Sequence, residues 1–118
     1  MKEKDNTQII MDFAKAWETL NPELIIENLD ETFVYDSQWV LESLDYKGYT
    51  EYIRAKFKTI QNTCSAPTVK VVHDGYNGGL MLSLQQGSNA PAYYRIKISN
   101  GKVIKGDLCM FWKHLPCL

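Results

Sequence analysis

One carboxylate in this chain stands among residues that could turn it to acid–base work. Asp36 lies in the stretch Val34-Tyr35-Asp36-Ser37-Gln38-Trp39, between β-branched and aromatic side chains. In an extended strand Val34, Asp36 and Gln38 fall on one side and Tyr35 on the other. If the first side borders a pocket, apolar neighbours strip water from the carboxylate and ready it as a general base. The plain alternative is a strand-end aspartate that accepts hydrogen bonds from the backbone of the following loop. Asp107 is the second acid to weigh. It follows Lys105 by two residues, so the two share a strand face as an exposed pair, unless Gly106 marks a bulge that shifts the register. His73, beside the Asp74-Gly75 turn, and His114, near the end, are too distant in sequence to suggest a metal centre. The odd set Cys64, Cys109 and Cys117 has no CxxC spacing, which disfavours zinc and a disulfide framework and points to a reducing cytoplasm. No residue pattern calls for a cofactor. Gly78-Gly79 lacks the strand–helix setting of a phosphate loop.

The elements that must position these groups follow from periodicity. Ile9, Ile10, Phe13, Trp17 and Leu20 recur at helical spacing, with Asp5, Asn6 or Thr7 as caps, and predict a helix over about 7–20. Asn21-Pro22 ends it and starts a short second helix to about residue 29. A strand is expected over 32–38, then a third helix over about 48–62 marked by Tyr49, Ile53, Phe57 and Ile60. Alternating residues from about 67 to 113, divided at Asp74-Gly75, Asn77-Gly78 and Asn100-Gly101, predict four strands in antiparallel succession. Helices early and strands late indicate an α+β fold, with the three helices packed on one face of a curved, mainly antiparallel sheet. Nothing divides the 118 residues, so one domain is expected, its core spanning about 7–113.

Charge narrows the partners. Residues 1–50 hold eleven acids and four bases, and residues 51–118 three acids and nine bases, giving −7 and +6 and a net −1. That total does not suit a polyanion binder. Arg95, Lys97 and Lys70 should lie on the sheet face away from the helices, which favours a solvated or dimer-forming surface over nucleic acid. No apolar run is long enough to cross a bilayer, and the charged start "MKEKDNTQ" lacks the apolar stretch of a signal peptide.

Trp17, Trp39, Tyr52, Tyr94 and Trp112 make a large aromatic set for so small a chain. Trp17 belongs to the buried helical stripe, whereas Trp39 follows the strand and could roof a pocket. Aromatic walls with few polar groups suit a planar or hydrophobic small ligand; the same rings could instead fill the interior.

The order of elements, with "AWETLNPELIIENLDETFVYDS" leading into "KGYTEYIRAKF" and later "GKVIKGDLCMFW", resembles the nuclear transport factor 2-like superfamily, in its ketosteroid isomerase-like and SnoaL-like branch. The resemblance implies a cystatin-like cone with a pocket at its open end. It places Asp36 at the position of the isomerase base, within a "VxD" pattern. The helix-one tyrosine that donates to the oxyanion is replaced by Phe13 or Ala14, and Tyr94 stands where a late-strand donor is expected. SnoaL-like cyclases carry an acid on a late strand, as Asp107 is here. The resemblance implies a homodimer, with Asp36 and Tyr94 catalytic and Val34, Gln38, Trp39, Tyr52, Asp107 and Trp112 around a small apolar ligand. A non-catalytic association domain is the alternative. Open volume beside Asp36 separates the two: a filled cone supports association.

Overall fold

The computed structural model describes residues 4–37, 42–63, 65–73, 79–88 and 90–109. The order is α1 (Asn6–Thr19), α2 (Glu23–Ile26), β1 (Leu29–Ser37), β2 (Leu44–Asp45), α3 (Tyr46–Thr63), β3 (Thr68–His73), β4 (Leu80–Gln85), β5 (Ala92–Ser99) and β6 (Lys102–Cys109). The α+β architecture is the expected one, with helices packed against one curved six-stranded sheet of order β2-β1-β6-β5-β4-β3. Among the described residues only β1 and β6 run parallel, and every other neighbouring pair is antiparallel.

Local chemistry sets the helix ends. Asp5 caps α1 by accepting from the Gln8 amide at 2.8 Å. At the other end Leu20 takes a left-handed conformation (φ 55°), and its amide bonds Ala16. A leucine there is strained, but its side chain is buried with the core. The second helix is shorter than periodicity predicts. Asn28 turns its side-chain amide back onto the Leu24 carbonyl at 2.9 Å, while its own carbonyl accepts from the Val103 amide. The chain therefore leaves the helix and enters the sheet at Leu29, three residues before the predicted strand. The same Asn28 side chain reaches Asp12 at 3.2 Å, and Lys4 and Gln8 bond that carboxylate at 2.9 and 2.8 Å. Burial alone would raise the Asp12 carboxyl, but these three donors outweigh it and hold it below its ordinary range. This cluster fastens α1 to the entry of β1.

Two irregularities shape the sheet. Between Leu29 and Val34 the β1 register against β6 shifts, and Asp30 accepts from both the amide and the hydroxyl of Thr32 there. On β6 the shift against β5 falls at Ile104, because Lys97 pairs Lys105 while Ile98 pairs Val103. The bulge that sequence allowed at Gly106 is thus two residues earlier. Gly106 pairs regularly with both Tyr35 and Ile96. No described helix is long and apolar enough to cross a membrane.

Candidate functional site

The helix-facing side of the sheet is occupied by aromatic side chains. Phe33 and Tyr35 from β1 and Tyr94 from β5 meet Phe13 and Trp17 of α1 and Tyr49 and Phe57 of α3, all of them buried. Trp17 sets its edge to Phe57 at a centroid distance of 4.7 Å and to Tyr94 at 6.0 Å. Tyr35 lies 4.5 Å from Tyr49 and stacks on Tyr94 at 6.1 Å. At the centre the hydroxyls of Tyr49 and Tyr94 share a hydrogen bond of 2.6 Å. Burial pushes both phenols well up, in Tyr94 against the lowering effect of the Tyr49 bond, so both stay protonated. Gly106 makes this arrangement possible. A Cβ on it would lie 3.1 Å from the Tyr94 hydroxyl and 3.2 Å from the Phe33 ring.

Asp36 is on the other side of the sheet. It pairs across the strands with Asp107, and Asp107 with Arg95, the neighbour of Tyr94. Adjacent residues on a strand point to opposite faces, so the sheet stands between Asp36 and Tyr94. The expected base–donor pair is not formed. Val34 shares the Asp36 face, as parity required, but that face is exposed: Val34 is 38% accessible and the Asp36 side chain 46%. In place of apolar walls, the carboxylate has the Ser43 hydroxyl donating to it and Lys105 Nζ at 3.7 Å. Asp107 does not pair with Lys105 along its own strand either; Arg95 Nε donates to it across the strands at 2.9 Å. Two carboxylates set directly opposite repel, and these two are each balanced by a cation.

Tyr52 is half-buried on the helix side, 5.8 Å from Tyr35 and 6.1 Å from Tyr49, with Lys56 Nζ 5.7 Å above its ring. It belongs with the interior rings and not with Asp36. Gln38, Trp39 and Trp112 lie outside the described residues. Sequence reasoning did not single out Tyr35 or Tyr49 as the partners of Tyr94. The signal was present, since Phe33 and Tyr35 alternate with Val34 and Asp36, and Tyr49 opens the buried stripe of α3.

An open cleft does exist, elsewhere. β4 pairs with β5 only through Leu82–Leu84, so β5 runs on beyond Tyr94 without β4 beside it. A cleft of about 660 Å³ occupies this parting, between the β5 edge and the start of α1. Ile10, Leu80, Ile96 and Ile98 form an apolar floor, with Asn6 and Thr7 at one end. Because it crosses a strand edge, it also reaches the outer face, where Lys97, Lys105 and the Arg95–Asp107 pair make the rim. Among the described residues no group of three His, Cys, Asp or Glu side chains is placed to hold a metal ion.

Comparison with known proteins bears on the fold. No family model matches this sequence, and no curated protein does so significantly. Solved structures do match in shape. A SnoaL-like protein from Burkholderia thailandensis superposes with a TM-score of 0.68 at 11% identity, covering 92% of this chain and 98% of that one. A nuclear transport factor 2-like protein from Cytophaga hutchinsonii gives 0.63 at 16% identity, covering 92% and 93%. A protein with a ketosteroid isomerase-like fold from Catenulispora acidiphila, in complex with trimethylamine, gives 0.58 at 9% identity, covering 90% and 87%.

Proposed function

We propose that this chain, built on the nuclear transport factor 2-like fold that these comparisons establish, is a single small-molecule-binding domain whose ligand occupies the β4–β5 cleft. The observation that carries the reading is the contrast between a helix-side interior closed by aromatic side chains and a cleft with an apolar floor at the strand parting. A volume of that size lies within the range of small-molecule sites, which are typically concave and largely apolar. The trimethylamine complex of the Catenulispora protein supports a small ligand as suitable for such a frame. Acid–base turnover by Asp36 and Tyr94 together is not part of this reading, because the sheet separates them.

The test is a titration with 1-octanol, a neutral apolar probe, followed by amide chemical shifts. The amides of Ile10, Leu80, Ile96 and Ile98 should move, and Leu80→Asp should abolish the response while the fold persists. Shifts confined to Tyr35, Tyr49 and Tyr94, or none at all, would refute the cleft.

A second reading, the association domain that the filled interior supports, concerns the exposed face of β1, β6 and β5. There the row Asp36–Asp107–Arg95 lies beside the row Val34–Lys105–Lys97, in which Val34 is an exposed apolar side chain. A two-fold axis across this face sets each acidic row against the partner's basic row, so it supports a homodimer. Sedimentation at tens of micromolar should give dimer mass that declines with added salt; monomer alone at low salt overturns it.

A further inference from the structure

We infer that the ligand of the β4–β5 cleft is an amphipathic monoanion, an apolar body carrying one acidic group; the inference rests on the cleft being the binding site. Its basis is the charge pattern of the rim. Four ionisable side chains line the cleft, three basic and one acidic, so the rim has an excess of two positive charges. Arg95 and Asp107 neutralise each other at 2.9 Å. The excess therefore belongs to Lys97 and Lys105, and these two are direct cross-strand partners.

Like charges placed directly opposite on neighbouring antiparallel strands destabilise a sheet. Asp36 relieves Lys105 only weakly, at 3.7 Å and with both side chains about half exposed. Lys97 has no ion-pair partner among the described residues. Two ammonium groups on adjacent strands, both lining the cleft, offer two cations to one carboxylate. Across the β5 edge from them, on the helix side, lie Ile96 and Ile98, and Leu80 and Ile10 line the same cleft, so an alkyl or aryl body attached to that carboxylate passes the edge onto the apolar floor. The acidic head meets the lysines and the body leaves water. A neutral ligand would fill the floor and leave the repulsion in place.

Octanoate and 1-octanol, titrated in parallel under the amide-shift conditions above, separate this inference from the one beneath it. Octanoate should bind about tenfold more tightly than octanol at low salt, an advantage of the size that two partly exposed charge contacts supply, and the advantage should shrink as salt is added. Lys97→Met should reduce octanoate affinity several-fold, remove most of its advantage over octanol, and raise the melting temperature of the free protein by removing the opposed charge. Equal affinities for the two probes would overturn the anion inference and leave the cleft intact as a site. Failure of both probes to bind would overturn the cleft itself. A Lys97→Met protein that binds octanoate as well as the parent chain would exclude the lysine pair as the anion grip.

Discussion

Tyr94→Ala is expected to destabilise the fold by about 3–5 kcal/mol, the usual cost of removing a large buried ring. The ring is fully buried and touches Phe13, Trp17, Tyr35 and Tyr49 at once, so no neighbour can collapse into its space without abandoning another contact. Since small domains have only about 5–15 kcal/mol in total, this variant should unfold at much lower urea with an unchanged slope. The hydroxyl can be separated from the ring. Tyr94→Phe keeps the packing and leaves the Tyr49 hydroxyl buried without its partner, at a cost of about 1–3 kcal/mol. Adding Tyr49→Phe removes the orphan, so the double variant should lose clearly less than the sum of the two single losses. Strict additivity in the urea midpoints would show that the 2.6 Å contact contributes nothing.

Gly106→Val should be damaging as well, by about 1–3 kcal/mol through overpacking. Its backbone angles are open to any residue, so the objection is to volume. A single Cβ already meets the Tyr94 oxygen at 3.1 Å and two Phe33 ring atoms at 3.2 and 3.3 Å. Neither neighbour can retreat, because Phe33 packs on Tyr49 at 5.0 Å and the Tyr94 hydroxyl is held by Tyr49. Alanine here gains about 0.4–1 kcal/mol by restricting the unfolded chain, which offsets part of its smaller clash. Valine adds two methyls and no comparable gain. Thermal denaturation should therefore rank glycine above alanine above valine; a valine variant melting with the parent chain would refute the close-packed arrangement.

The fold was legible because its determinants are short in range. The stripe of Ile9, Phe13 and Trp17, the Asn21-Pro22 break and the Asn100-Gly101 turn each act within a few residues. The site was less legible, for two reasons of geometry. Parity correctly joined Val34 to Asp36, but parity does not say which face meets the helices. That depends on where the bulkier set lies, and Phe33 with Tyr35 outweighs Val34 with Asp36. The second reason is that the cleft arises from the length of a pairing. Leu80, Leu82 and Leu84 alternate as evenly as Tyr94, Ile96 and Ile98, and nothing in either run announces that β4 leaves β5 after Leu82. The two-residue β2 and the Ile104 irregularity are hidden for the same reason, since both are defined by partner strands distant in sequence.

The parallel pairing of β1 with β6 governs when the molecule can acquire its shape. Among the described residues β1 has only Leu44–Asp45 as its other neighbour, so its place in the sheet depends on residues 103–108. On a ribosome the helices and β1 emerge early, but the strand that receives β1 follows every other described element. Until then Phe33 and Tyr35 have no β6 beside them, and closing the sheet must bring together residues some seventy positions apart. Such long-range closure is slow compared with helix formation. Nascent chains halted before β6 should therefore be compact in their helical part yet bind chaperones through β1, and emergence of β6 should mark the onset of native structure.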